Sequence, residues 1–366
     1  MMTSLNRILF VFSTCVRSVL LLPLILAIIS CSSVGPKTVP EDQFNYNAAI
    51  AESTHEQLLL NLVRLRYSET PVFLKVSSVI SQYSRVVTAK ANAGANTAFT
   101  GDNTASVGGG VIWSDKPTIS YTPISGREFS RNLLTPIAPS AVFEMMQSGW
   151  PVELVFQSIV WSINNIRSEI ARPSHRRQAD PKMFELFSVW RELREAGVLG
   201  TRKTKVEGQQ ESLVMYLSEG PMSESQQKNI QRLRELLGLD SEVQQYQIVY
   251  GLVPQRGDEL TVLTGSVWDI MLNIAWQFEV PPAHIQSGRT GDAFRSDHDG
   301  SNPPIEVLYT EEEPDDAFVA VNEHGYWFYI DQRDRKSKRV FSFLQLLLNL
   351  AETSTPDNAP VISISN

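Results

Sequence analysis

The chain has 366 residues, 42% of them hydrophobic and 20% charged, and a formal net charge of −8. That composition supplies a core and excludes a disordered polyelectrolyte. Residues 1–30 hold Arg7 and Arg17 and no acid, so losing them leaves a body at −10. An acidic body lacks the basic surface of a general nucleic-acid binder. The two cysteines, Cys15 and Cys31, both lie near the N-terminus, which leaves the body without an internal disulfide or a Cys-based zinc site.

Residues 1–30 have the pattern of an export signal. Arg7 and Arg17 give positive charge, and residues 19–29 form an apolar run too short to span a bilayer. The run ends in Ile28-Ile29-Ser30-Cys31, which resembles the lipobox of bacterial lipoprotein precursors. The resemblance covers about the first 31 residues. It implies diacylglyceryl modification of the Cys31 thiol, cleavage before Cys31 and acylation of the new amine. Several acyl chains would exceed the two signals that stable anchoring needs. Ser32, rather than Asp, follows Cys31, which by the same resemblance implies an outer-membrane anchor facing the periplasm. In a Gram-positive cell the same anchor would lie on the outer face of the plasma membrane. The alternative is a soluble secreted protein with a chance cysteine. Residues 31–41 read as a Ser/Pro/Gly tether. The remainder is similar to exported bacterial lipoproteins in general, which implies no particular activity.

Residues 42–67 have helical spacing, with Leu58, Leu59, Leu62, Val63 and Leu65 crowding one side and Arg64 and Arg66 in the last turn, where they suit the helix dipole. Residues 72–76 read as a strand. Within 77–122, Val87, Ala89, Ala91 and Ala93 alternate with polar residues, and Ala105, Val107, Gly109, Val111 and Trp113 do so again after a Gly101-Asp102-Asn103 turn. This predicts a long Gly/Ala-rich β-hairpin over 84–114, with an edge strand over 118–122.

Residues 125–171 read as helical. Ser125 and Glu128 have capping-box spacing, and residues 141–149 give a second piece. Pro151 opens a long helix bearing Val152, Val155, Phe156, Ile159, Val160, Ile163 and Ile170. Another helix starts at Asp180-Pro181 and runs to Gly197. Residues 203–210 are a polar loop. Strands follow at 213–217, 246–250 and 259–263. A helix over 223–237 ends at Gly238, and one capped by Ser266 carries Val267, Ile270, Met271, Ile274, Ala275 and Phe278. Residues 305–309, 318–321 and 326–330 are strands, a helix runs from about 338 to 351, and 361–365 is a last strand. No internal repeat is present. The fold class is α+β: a helical N-terminal half over 42–200 with the inserted hairpin, and a mixed or antiparallel sheet with helices over 201–366.

Catalytic signatures are mostly missing, including the nucleophile elbow, Walker A and the dinucleotide fingerprint. His55-Glu56 begins like a zinc helix, but Leu59 stands where the second His belongs. The histidines at 55, 175, 284, 298 and 324 are scattered and read as surface or cap residues. No metal site or cofactor is expected. Asp297-His298-Asp299-Gly300-Ser301-Asn302 has oxygen ligands about a glycine but not the EF-hand order, and reads as a solvated loop. Residues 311–316 read as an acidic hairpin tip that discourages edge pairing.

Arg333, Arg335, Lys336, Lys338 and Arg339 gather near a helix start, where positive charge opposes the dipole. Two resolutions are pairing with Asp331 and Asp334, or an external anion bound at the helix N-terminus. Trp268, Leu272 and Trp276 form a second apolar stripe on their helix, either buried or facing a partner.

These features lead to an outer-membrane-anchored periplasmic lipoprotein with a structural, assembly or binding role, held to the membrane through Cys31 and contacting envelope proteins. One alternative is an oligomeric pore built from copies of the 84–114 hairpin, whose arms exceed the roughly 9–11 residues a strand needs to cross a bilayer. Trp113 and Phe99 would be its few interfacial aromatics. A second alternative is an envelope-polymer hydrolase using carboxylates that no spacing singles out.

Overall fold

The computed structural model describes residues 39–94, 104–115, 118–173, 175–204, 212–296, 304–352 and 361–365. The signal, Cys31, most of the tether, Phe99 and the 297–302 loop lie outside the described residues. The fold is α+β. The chain divides into two units: residues 1–51, 80–118 and 363–366 make the first, and residues 52–79 and 119–362 the second. Among the described residues, no helix is long and apolar enough to cross a membrane.

Strand β1 (Leu74–Gly94) enters the first unit at Ile80, and there it pairs antiparallel with β2 (Thr104–Asp115) without interruption from Tyr83↔Asp115 to Gly94↔Thr104. Val87 faces Val111, Ala89 faces Gly109 and Ala91 faces Val107 along the backbone. The two alternating sequence patterns therefore share a register, as a period of two demands.

The second unit holds the core. Helix α1 (Val39–Arg66) buries Leu58, Leu59, Leu62, Val63 and Leu65, each at most 3% exposed, whereas residues 43–57 are exposed or half-buried. The strand β3 (Thr118–Pro123) pairs with β1. Helix α2 (Gly126–Phe129) has Ser125 at its N-cap, but the side chain makes no capping bond, so the expected capping box does not form. A π turn over Ser130–Leu134 follows. Helix α3 (Pro139–Gln147) leads to α4 (Val152–Ile159).

The long helix expected after Pro151 stops at Ile159. There the chain becomes β4 (Val160–Ile163), turns through Asn164 and Asn165, and returns as β5 (Ile166–Arg167). Both asparagines have positive φ, 42° and 67°, the backbone of a two-residue hairpin turn. Asn164 is locked there: its Nδ2 donates to Leu237 O at 2.8 Å and its Oδ1 accepts from Thr261 N at 2.7 Å. The helical spacing of Ile159, Val160, Ile163 and Ile170 yields to β-branched residues beside an Asn-Asn turn.

Short β6 (Ile170–Ala171) and β7 (Arg176–Arg177) pair with each other. Helix α5 (Pro181–Glu195) starts at Asp180, whose carboxylate accepts from Lys182 N. Next come β8 (Leu199–Thr204), in a stretch without an expected strand, then β9 (Ser212–Leu217) and α6 (Glu224–Leu237). Ser223 and Gln226 form a full capping box on α6, and Gly238 ends it at φ 63°. Strands β10 (Gln245–Tyr250) and β11 (Glu259–Thr264) complete a mixed six-stranded sheet in the order β5-β4-β11-β10-β9-β8. This sheet takes strands from both sides of residue 200. β10 and β11 run parallel without a crossover helix. Glu259 sits opposite Gln247, so residues 251–258 retrace only about three positions, or roughly 10 Å at 3.3 Å per residue.

Ser266 and Asp269 form a capping box on α7 (Val267–Ala275). That helix ends before Phe278, and Pro282 opens the short α8 (Pro282–Gln286). The last sheet has the order β12-β14-β13, built from β12 (Leu308–Thr310), β13 (Ala317–Glu323) and β14 (Tyr326–Asp331). Residues 311–316 are therefore not a hairpin tip. They carry the chain from one edge of β14 to the other, because β14 pairs with both neighbours. The hairpin in this sheet is β13–β14, turned by His324 and Gly325 at φ 56° and 85°. Helix α9 (Arg335–Glu352) packs its Val340, Phe341, Phe343, Leu344, Leu347 and Leu348 into the core. The chain is described again at β15 (Val361–Ser365).

Candidate functional site

Two places in the second unit concentrate polar chemistry. The first is where the end of α1, α8 with the segment after it, and the β13–β14 turn converge. Arg66 is fully buried. Its guanidinium donates to Phe278 O at 3.2 Å, Thr290 Oγ1 at 2.5 Å and Gly291 O at 2.8 Å, and Thr290 Oγ1 donates back to Arg66 O at 2.7 Å. Burial lowers its pKa to about 10. Arg66 does sit in the last turn of α1, but its side chain is buried and reaches segments more than 200 positions away in the chain.

Beside it, Tyr67 Oη lies 2.6 Å from Nδ1 of His284. Arg289 approaches Nε2 of the same ring at 3.4 Å, and a guanidinium only donates, so the geometry favours the tautomer with its proton on Nδ1. Burial pushes the Tyr67 phenol up to about 12. Burial, then Arg289 and His324, lower the His284 pKa. The His324 ring stacks at a tilt on Tyr67 with centroids 4.3 Å apart, and lies 6.4 Å from the His284 ring. His284 is 5% exposed, so it is neither a surface nor a cap residue, and two of the scattered histidines meet. His55 is half-buried against Phe318 and Phe341, which burial registers as a lowered pKa.

Glu69, Glu323 and His324 each place a ligand atom within 4.8 Å of the others. Glu323 is held by Arg64 at 3.3 Å, and Nε2 of His324 lies 3.3 Å from Glu69. A guanidinium against the carboxylate opposes a bound cation. The Arg64–Glu323 ion pair fastens α1 to the β13–β14 turn, while the buried Nε2 of His324 makes no hydrogen bond.

The second place is a cavity of about 610 Å³ between the π turn, α3 and α9. Ala138, Ala141 and Met145 of the α3 region and Leu346, Leu347 and Leu350 of α9 form most of its apolar wall. Asn132, on the π turn, is among its lining residues and is 4% exposed, but its Nδ2 and Oδ1 are shut off from solvent and have no hydrogen-bond partner. Single-turn π segments are frequent at functional sites. A second cavity of about 360 Å³ lies between α3, α5 and β8, lined by Phe143, Trp190 and Gly200 among others.

The basic cluster is occupied from within. The Asp334 carboxylate accepts from Lys336 N and Ser337 N, both at 3.0 Å, and from the Ser337 hydroxyl. Arg333 pairs with Asp316 at 2.8 Å. Lys338 donates to Gln332 O and sits 5.1 Å from the Phe318 ring centre. Arg335 and Arg339 are exposed. The helix begins at Arg335 rather than about 338, so the N-terminal amides offered to an external anion are already capped. The Trp268–Leu272–Trp276 stripe is likewise taken up. Trp276 is 5% exposed beneath Arg66, Trp268 meets Phe129 edge-on, and Leu272 packs on the core.

Asn132 went unnoticed in the sequence because an Asn between Arg131 and Leu133 carries no motif. The Tyr67–His284 pair went unnoticed because its members are 217 positions apart. Comparison with protein families, with curated proteins and with solved structures finds no match for this chain.

Proposed function

We propose that this chain is a lipid-anchored envelope protein, most simply of the outer membrane facing the periplasm, whose body binds a ligand rather than transforms one. The anchor rests on Ile28-Ile29-Ser30-Cys31 and the tether after it. The observation that carries binding is the 610 Å³ cavity walled mostly by Ala138, Ala141, Met145, Leu346, Leu347 and Leu350. Its volume lies within the roughly 300–1,000 Å³ of small-molecule sites, and a largely apolar wall that also carries Arg131 and Glu144 fits their usual chemistry. The titratable cluster at Tyr67 and His284, by contrast, is spent on its own hydrogen bonds and ion pairs.

Two experiments test this reading. Labelled palmitate should enter the wild-type chain and not Cys31→Ala; incorporation that survives the substitution removes the anchor. The apolar fluorophore N-phenyl-1-naphthylamine should bind the mature chain, and Ala141→Phe, which fills the cavity, should abolish the signal. Fluorescence indifferent to Ala141→Phe removes the binding site from this cavity.

A second reading, an oligomeric pore, is favoured by one observation: twelve consecutive β1–β2 pairs with no break in register. Each arm is longer than the roughly 9–11 residues that cross a bilayer; β15 and β3 also pair with β1, so a ring of such hairpins requires β15 to leave its edge. A ring-sized mass in detergent that collapses when residues 84–114 are deleted supports the pore, and a small oligomer indifferent to the deletion removes it. The hydrolase reading gains no such support. The carboxylates of Glu69 and Glu323 come together, but Arg64 holds Glu323 in an ion pair.

A further inference from the structure

We propose that Glu69, Glu323 and His324 form a site for one divalent transition ion, zinc first among them. None of the three lines the cavity between the π turn, α3 and α9, so this inference and the binding reading stand or fall separately.

His324 carries the geometry. Its Nε2 is buried, has no hydrogen-bond partner, and lies 3.3 Å from Oε1 of Glu69. In a hydrogen-bonded His–Glu pair the ring N–H points at the oxygen, and here it does not. Close approach without alignment is the relation between two ligands of one ion, whose lone pairs converge on the ion rather than on each other. Two donors about 2.1 Å from a tetrahedral ion stand about 3.4 Å apart. The His324–Glu69 separation therefore suits neighbouring places in one coordination shell. A third ligand atom, from Glu323, lies within 4.8 Å of both. Reaching tetrahedral spacing takes at most about 1.4 Å, a small adjustment for one exposed and one half-buried Glu side chain.

The donors stand on fixed backbone. Glu69 follows Ser68, whose φ of 60° turns the chain back after α1, and Glu69 N donates to Arg64 O at 2.8 Å. Glu323 and His324 are consecutive at the β13–β14 turn, where His324 has φ 56°. The Tyr67 ring, 4.3 Å away between centroids, packs on the imidazole. One imidazole and two carboxylates are the donor set of zinc and its divalent neighbours, and three protein ligands leave a fourth position for water. Arg64 engages Oε1 of Glu323 at 3.3 Å. It sets one positive charge against two carboxylates, which weakens the site without cancelling it, and it orients Glu323 as groups behind metal-bound carboxylates do.

The test uses the mature chain, residues 31–366 with Cys31→Ala so that no thiol competes for metal. Zn²⁺ binding is read by competition with a fluorescent zinc chelator, and Co²⁺ binding by its visible absorption. One Zn²⁺ should bind per chain, and Co²⁺ should show the intense bands of a four- or five-coordinate protein site. His324→Asn, which suits the positive φ, and Glu69→Gln should each weaken Zn²⁺ binding at least about tenfold, since a change behind the ligands alone costs roughly 10- to 100-fold. The exposed His175, on the β6–β7 connection, serves as control, and His175→Gln should change nothing. If His324→Asn fails to fold, Glu69→Gln decides, because the Glu69 side chain is exposed. No Zn²⁺ binding, or Zn²⁺ binding that either variant leaves intact, overturns the inference and leaves the cavity to its own test with Ala141→Phe.

Discussion

The guanidinium carbon of Arg66 sits 4.7 Å from the centre of the Trp276 ring, with both residues buried. The indole covers the cation, and Phe278 O, Gly291 O and Thr290 Oγ1 take its protons. Arg66→Met fills much of the volume but strands these acceptors. It should destabilise the protein by about 3 kcal/mol, the cost of breaking a buried charged network. Arg66→Lys should recover little, since an ammonium cannot reproduce the planar fork. Urea unfolding followed by tryptophan fluorescence would measure both. A loss under about 1 kcal/mol for Arg66→Met would contradict the network's role.

Acid should weaken the fold before the carboxylates titrate. His284 and His55 are both lowered from their ordinary 6.5, chiefly by burial. The unfolded chain therefore takes up protons that the folded chain refuses. Their contribution is fully present above about pH 6.5 and is lost as pH falls through the lowered folded values. Unfolding free energy should drop between about pH 7 and pH 5, and the double variant His55→Gln, His284→Gln should flatten that drop. An undiminished drop in the double variant would assign it to other groups.

The Asn164–Asn165 turn should respond unequally to glycine. Asn165→Gly meets a positive φ at no steric cost and should be neutral or slightly stabilising. Asn164→Gly keeps the backbone but removes the bonds to Leu237 O, Thr261 N and Thr261 Oγ1. It should cost about 2–3 kcal/mol. Equal effects in thermal unfolding would mean that the side chain of Asn164 contributes nothing beyond its conformation.

Asp334 is the cap that settles the basic cluster. Asp334→Ala should lower stability by about 1 kcal/mol, as loss of an N-cap does. It should also free two amides of α9 among five cations, so inorganic phosphate should stabilise the variant more than the wild type. A phosphate effect equal in both, read as a shift in Tm, would count against the capping argument.

Asn132→Leu is expected to raise stability by about 1 kcal/mol, because it removes an unpaired buried amide at little change in volume. A core asparagine that was hydrogen-bonded would give the opposite sign. Chemical denaturation in the absence of any lipid or detergent distinguishes the two.

What was legible in the sequence was local or periodic. The leucine stripe of α1, the Ser266 cap, the Gly238 stop and the shared alternation of β1 and β2 each depend on residues a few positions apart or on a simple repeat. Residues 160–170 were misread because isoleucines three and four apart fit a helix, while the positive φ at Asn164 and Asn165 that breaks it is stabilised by Leu237 and Thr261. The parallel β10–β11 pair and the β12-β14-β13 order depend on which strand edges meet, and spacing within one segment carries no such information.

The candidate site was even less visible. Arg66 and Trp276, Tyr67 and His284, and Asn132 and Leu347 are ordinary residues in their own segments. Composition, the acidic charge and the segment ending at Cys31 set the expected address of the protein and its α+β class, because targeting signals and amphipathic periods are written in consecutive residues. Burial of Arg66, the meeting of two histidines and the burial of the Asn132 amide were decided only by tertiary structure, because desolvation and pairing belong to neighbours brought together by folding rather than to the chain that carries them.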